Sequence, residues 1–159
     1  MATIIVEDGT GKANSNSYIS EADFATWLTD RGLTLTGDAG EQLIKANDFL
    51  ETLIYIGNKY SEAQALQWPR YNVYIDGYYV EYSTIPKDLK TAQMQFAVSI
   101  DAGVDPLATI ERAVKKEKLD VMEVEYMDSA ASQPFITAGY AALSKLLAGG
   151  GINFNVSRG

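Results

Sequence analysis

The segment Tyr71–Tyr82, YNVYIDGYYVEY, constrains the fold more than any other. Asp76-Gly77 is a two-residue type I′ turn signal, and aromatic and β-branched residues flank it on both sides. The sequence therefore predicts a hairpin with arms Tyr71–Ile75 and Tyr78–Tyr82. Pro69 has no N–H to give a central ladder, so the hairpin begins after it. Five of the chain's ten tyrosines fall within these twelve positions, directly after Trp68-Pro69-Arg70.

The other elements read mainly as helices. Ser20 can cap a helix, Asp23 suits its positive end, and Phe24, Trp27 and Leu28 share one face. Gly32 stops it, which gives a helix over Glu21–Arg31. Asp38-Ala39-Gly40-Glu41 repeats the capping logic. Leu43, Ile44, Ala46, Asn47, Leu50, Leu53 and Ile54 then recur with a helical period, predicting a helix over Ala39–Ile56. Ser61–Leu66 reads as a short helical turn. Pro86 suits the first turn of a third helix, whose face is Leu89, Ala92, Gln93, Phe96, Ala97 and Ile100. Pro134 opens a fourth, with Phe135, Tyr140, Leu143, Leu146 and Leu147 apolar, and Gly149-Gly150-Gly151 closes it. Ile4–Val6 reads as a short strand and Gly9–Ser17 as a loop. Met122, Val124 and Tyr126 alternate with Glu123 and Glu125 as in a half-buried strand, with Val114–Leu119 as its hairpin partner. The expected fold is α+β, mainly α: a four-helix bundle core with one or two β-hairpins and an extended C-terminal tail. Residues 1–148 form the domain and 149–159 the tail.

The 159 residues include no cysteine and no histidine. That excludes disulfides, thiolate metal sites and Ser-His-Asp or Cys-His catalysis. The formal net charge of -8 counts against nonspecific DNA binding, which draws its affinity from Lys and Arg on phosphates. No apolar run approaches the roughly 18 residues of a membrane span, and MATIIVEDGTG lacks the basic n-region of a secretory signal. From Ser129 to Gly159 the only charged residues are Lys145 and Arg158, so the tail differs in character from the acidic body.

No constellation points to an enzyme. Glu7-Asp8, and Glu123 with Glu125 on one strand face, are the close carboxylate pairs, and solvated strand charges explain the second as well as a metal would. Gly9 and Gly11 lack the Lys-Ser/Thr continuation and the strand-to-helix context of a phosphate cradle. Lys115-Lys116-Glu117-Lys118 reads as a solvated hairpin tip. No cofactor or metal is expected. The aromatic cluster could stack bases, but single-strand binders pair aromatics with a positive groove. Arg70 is the only cation between Lys59 and Lys87, and Glu62, Asp76 and Glu81 share the segment. The charge favours a protein interface over base stacking, with Tyr71, Tyr74, Tyr78, Tyr79 and Tyr82 as its candidates. Trp68, Pro69 and Arg70 read as a structural corner: Trp68 anchors the core, and Arg70 reaches a carboxylate or carbonyl.

Val6-Glu7-Asp8-Gly9-Thr10-Gly11, Ala13-Asn14-Ser15-Asn16-Ser17-Tyr18, Ala65-Leu66-Gln67-Trp68-Pro69-Arg70, Gly77 and Ile85-Pro86 stand in order. Together they resemble a family of small proteins of tailed bacteriophages and prophages, often labelled DnaT-like single-stranded DNA-binding. The resemblance implies a head-tail connector, also called an adaptor or head-completion protein. Such a virion protein would form a homo-oligomeric ring, typically a dodecamer, beneath the portal protein. It would extend the channel through which double-stranded DNA passes without specific binding, and offer a platform to tail, stopper or terminator proteins. Its place would be the head-tail interface of the virion, assembled in the host cytoplasm, with no membrane partner. The resemblance also implies a clasping terminus, for which Ile152, Phe154, Val156 and Arg158 are the candidate contacts. The label itself implies the other class, a single-stranded DNA-binding protein. The tyrosine-rich spacer after QWPR and the basic Lys115–Lys118 segment depart from the family's pattern.

Overall fold

A computed structural model gives the fold of residues 2–107 and 134–148. The elements are α1 (Glu21–Thr29), α2 (Ala39–Glu51), β1 (Asn58–Lys59), β2 (Arg70–Tyr71), β3 (Val73–Ile75), β4 (Tyr78–Val80), α3 (Lys87–Asp101) and α4 (Pro134–Leu143). Two small antiparallel sheets form, β1 with β2 and β3 with β4. Both N-caps expected of the first two helices are present. Ser20 Oγ accepts from the Asp23 N–H at 3.1 Å, and Asp38 Oδ1 from the Glu41 N–H at 3.0 Å.

A four-helix bundle core does not form among the described residues. Packing centres on α3, which lies against α2 and α4, whereas α1 makes a smaller contact with α2. Phe49, Phe96 and Tyr140 lock the three-helix junction edge to face, with ring centroids 4.9–5.9 Å apart. Gly139 permits this approach, because a Cβ there would lie 2.7 Å from Phe96 Cζ. The helices are short, and the chain between them carries large apolar side chains. Tyr18, Ile19, Tyr55, Leu66, Trp68, Val73 and Ile85 are all buried from loops or strands and join the same core cluster as the helices. The fold is therefore a helical layer finished by ordered loops and two hairpin-like sheets.

The boundaries shift for identifiable reasons. α2 ends at Glu51, not Ile56, so Ile54 leaves the core face and is 75% exposed. Past Thr52 the backbone pairs with the chain after α4: Tyr55 bridges Leu147, the Ile56 N–H donates to Leu146 O and the Ala148 N–H to Ile54 O, each at 2.9 Å. These bonds replace the helical ones. Ser61–Leu66 forms no helix. The Gln64 side chain holds it as a turn, accepting from the Ser61 N–H at 2.8 Å and donating to Leu66 O and Pro69 O. Val6 makes a single parallel bridge to Ser17 instead of a strand. The expected strands at Val114–Leu119 and Val121–Tyr126, the Glu123/Glu125 pair, Lys115–Lys118 and the tail with Ile152, Phe154, Val156 and Arg158 lie outside the described residues.

Candidate functional site

Three segments converge around the Trp68-Pro69-Arg70 corner. The Trp68–Pro69 peptide bond is cis. Trp68 is fully buried, with its ring edge to face against Tyr55 at 6.2 Å. Arg70 turns inward. Its Nε donates to Ile56 O at 2.8 Å, its Nη2 to Gly57 O at 2.8 Å and Tyr55 O at 3.4 Å. Its Nη1 donates to Gln67 O and Gln67 Oε1 at 3.2 and 3.0 Å. A planar fork with five donors suits such a ring of carbonyls, and a point-charge ammonium does not. Burial lowers the guanidinium's pKa. The chain reversal after α2 thus closes on β2, with Asn58 opposite Tyr71 and Lys59 opposite Arg70. Gly57 is required here: its φ is +72°, and a Cβ would sit 2.6 Å from Tyr71 O. Beneath the corner, the Tyr18 hydroxyl donates to Glu51 Oε1 at 2.7 Å and accepts from the Trp68 N–H at 3.3 Å. Burial raises the Glu51 carboxyl and, with the Glu51 charge beside it, the Tyr18 phenol.

The β3–β4 hairpin projects from this base. Asp76 (φ 52°) and Gly77 (φ 85°) give it the left-handed pair of residues a type I′ turn needs. Val73, opposite Val80, is fully buried and pins one face, while Ile75 and Val80 are half-buried. The opposite face carries the cross-strand pair Tyr74 and Tyr79, 63% and 49% exposed, with rings 5.6 Å apart. Tyr78, near the tip, is 78% exposed. Lys145, after α4, forms an ion pair with Asp76 at the turn. A second aromatic group stands beside the hairpin. Tyr60 and Tyr82 stack face to face, centroids 4.9 Å apart and planes within 7°. With Tyr71 they complete six exposed tyrosines between positions 60 and 82. Tyr60 is the member that sequence reasoning missed, since no local pattern links it to Tyr82 and only the fold brings them together.

The N-terminal EDGTG loop buttresses this surface. Glu7 is buried, and its carboxylate accepts from the backbone N–H groups of Gly9, Gly11 and Lys12 at 2.8–2.9 Å and from Ser15 Oγ at 3.1 Å. Asp8 accepts from Thr10 Oγ1 at 2.6 Å and pairs with Lys12 at 2.8 Å; Lys12, then Thr10, bring its carboxyl down to about 2. Glu7-Asp8 is therefore occupied in shaping a loop. The described residues hold no cluster of three or more metal-ligating side chains. The loop meets the aromatic surface directly. A Cβ at Gly11 would touch the Tyr60 ring at 3.3 Å, and the Ala65 N–H donates to Lys12 O at 2.9 Å.

Near the hairpin, Arg70 faces the interior and Lys12 and Lys145 are paired with carboxylates. What the surface offers is flat phenol faces with hydroxyl rims and one exposed cation, Lys59 of β1, which makes no ion pair among the described residues. Residues 2–159, nearly the whole chain, match a family model described as "Putative DnaT-like ssDNA binding protein". The chain belongs to this family. No curated protein and no solved structure matches it. The DnaT-like family's description names single-stranded DNA as ligand and makes no mention of a head-tail connector. No helix of the described residues is long and apolar enough to cross a membrane.

Proposed function

We propose that this protein binds single-stranded DNA by stacking bases on its exposed tyrosines. The observation that carries the reading is the Tyr74–Tyr79 pair together with the Tyr60–Tyr82 stack, solvent-facing rings on a rigid base in a chain of the DnaT-like family. Stacking on an aromatic contributes about 1–3 kcal/mol per base and tolerates any sequence. The family match supports this reading better than the connector role, and the tyrosine surface supplies it with a physical means. The net charge of -8 sets the character of the binding. Few phosphates are neutralised, so affinity is modest and its salt dependence shallow. Titration of a labelled oligothymidylate tests this. Tyr74→Ala with Tyr79→Ala weakens binding by at least about tenfold, since about 1.4 kcal/mol is a factor of ten. Retention of full affinity by that double variant sinks the stacking assignment.

A second reading is favoured by one observation: Arg70, the cation at the hairpin's root, is spent on internal carbonyls, and the exposed face beyond it is tyrosine-rich, of the kind that docks proteins. In that reading the protein is a head-tail adaptor, assembling as a ring on the portal and receiving the tail or stopper proteins. Mass measurement with and without portal protein decides it. A discrete complex larger than portal alone supports the adaptor, and unchanged masses at micromolar concentration dismiss it.

A further inference from the structure

Away from the tyrosines, an open groove of about 410 Å³ lies between α1 and α3. Arg31, Lys87 and Lys90 line it. None of the three makes an ion pair among the described residues. The Arg31 guanidinium lies 4.2 Å from the centre of the Trp27 ring, and its Nη1 donates to Trp27 O at 3.2 Å. The exposed cation is thereby held at the wall of the groove. Lys87 is the first residue of α3, whose N-cap, Pro86, offers no side-chain acceptor. The N–H groups of that first turn add to the positive field, which Asp88 in the same turn partly offsets.

Two carboxylates, Asp23 and Asp30, also line the groove. Asp23 is partly engaged, because Ser20 Oγ donates to its Oδ2 at 2.8 Å. Three lining cations still outnumber these two carboxylates, in a chain whose net charge is -8. A net positive recess in so acidic a protein is suited to a polyanion's backbone.

We propose that this groove holds the phosphodiester backbone of a single strand whose bases lie on the tyrosine surface. The inference rests on the nucleic-acid reading and adds the electrostatic half that the tyrosines lack. The two halves are close in the chain. Lys87 follows Tyr82 by five positions, which places their Cα atoms no more than about 18 Å apart.

The test uses the full chain and a fluorescent oligothymidylate of about a dozen nucleotides, within the site sizes of single-strand binders. Anisotropy is followed from about 50 to 200 mM salt. Lys87→Gln with Lys90→Gln is expected to weaken binding and flatten the log–log salt slope by roughly 1.4, at about 0.7 for each phosphate no longer neutralised. Asp30→Asn, which removes a lining carboxylate, is expected to tighten binding. Tyr74→Ala with Tyr79→Ala should weaken binding and leave the slope unchanged. If the lysine variant keeps wild-type affinity and slope while the tyrosine variant loses affinity, the groove assignment is wrong and the stacking reading stands. If only the lysine variant loses affinity, the groove stands and the stacking reading falls. If the wild-type protein binds no strand at any salt, both are refuted.

Discussion

Replacing Arg70 by lysine keeps the charge and most of the length but removes the fork. The guanidinium reaches carbonyls on two sides, Ile56 and Gly57 on one and Gln67 on the other. A single ammonium cannot serve both. Two of the bonds are short, at 2.8 Å, and charge-assisted bonds contribute about 1.5–3 kcal/mol each. Losing one side, and leaving a carbonyl unpaired beside a buried charge, is expected to cost about 3–5 kcal/mol. A domain of ordinary stability has about 5–15 kcal/mol in total, so the variant is expected to fold but to be markedly weakened. Urea denaturation read by tryptophan fluorescence measures the loss. At a slope of about 2 kcal/mol/M, the midpoint falls by roughly 1.5–2.5 M. Amide exchange should quicken first in β1 and β2, which the corner joins. Arg70→Lys within about 1 kcal/mol of the wild type, with exchange unchanged there, would show that the corner does not depend on the guanidinium.

The core residue beside it gives a graded test. Trp68→Ala is expected to cost about 3–5 kcal/mol, whereas Trp68→Phe should cost well under half of that, because the indole Nε1 has no hydrogen-bond partner among the described residues. Equal losses in thermal or urea unfolding would contradict the packing described. Burial raises the Glu51 carboxyl pKa in the folded chain, so the folded state holds that proton more tightly than the unfolded one. Stability from this site is present below the ordinary carboxylate pKa and is lost as pH rises through the raised value. Glu51→Gln should therefore gain on the wild type between mildly acidic and neutral pH, and parallel stability profiles for the two would refute the assignment. Gly9 and Gly77 both have positive φ, but a Cβ at Gly9 would lie 1.8 Å from Ser83 O, while one at Gly77 would meet none of the described residues within 4 Å. Gly9→Ala should destabilise by several times the roughly 1 kcal/mol expected of Gly77→Ala, and similar melting temperatures would show the loop gives way.

How much of this was legible in the sequence depends on the range of the interactions involved. Caps and turns are local, so Ser20, Asp38 and Asp76-Gly77 marked their elements correctly. Helix α3 follows its periodic face from Lys87 to Asp101 for the same reason. The four-helix bundle was the wrong inference, because periodicity cannot show that Tyr18, Tyr55 and Trp68 pack the core from outside helices. The end of α2 was misplaced because a bridge between Tyr55 and Leu147, far apart in the chain, competes with the next helical turn. Glu7 looked like half of a carboxylate pair. Its burial under three backbone N–H groups depends on a loop shape no single residue announces. Gln93 is similar: its side chain accepts from the Tyr18 N–H and donates to Ser17 Oγ and Leu43 O, partners distant in sequence. At the candidate site, composition located the hairpin tyrosines but neither Tyr60 nor the α1–α3 groove, both products of tertiary folding.

The hairpin's anchoring has a consequence for how such a protein can diversify. Val73 and the Arg70 corner fix its root, and Asp76-Gly77 closes its tip. Tyr74, Tyr78 and Tyr79 stand largely in solvent between those two points. Mutations at these three positions cost folding little beyond the Tyr74–Tyr79 cross-strand pair, about 0.2–1 kcal/mol, whereas those at the root cost far more. Under the proposed function, recognition and foldability are thus written in separate residues of one short segment. A lineage could exchange its ligand by redrafting three side chains, and a protein engineer could graft a new recognition face at the same place.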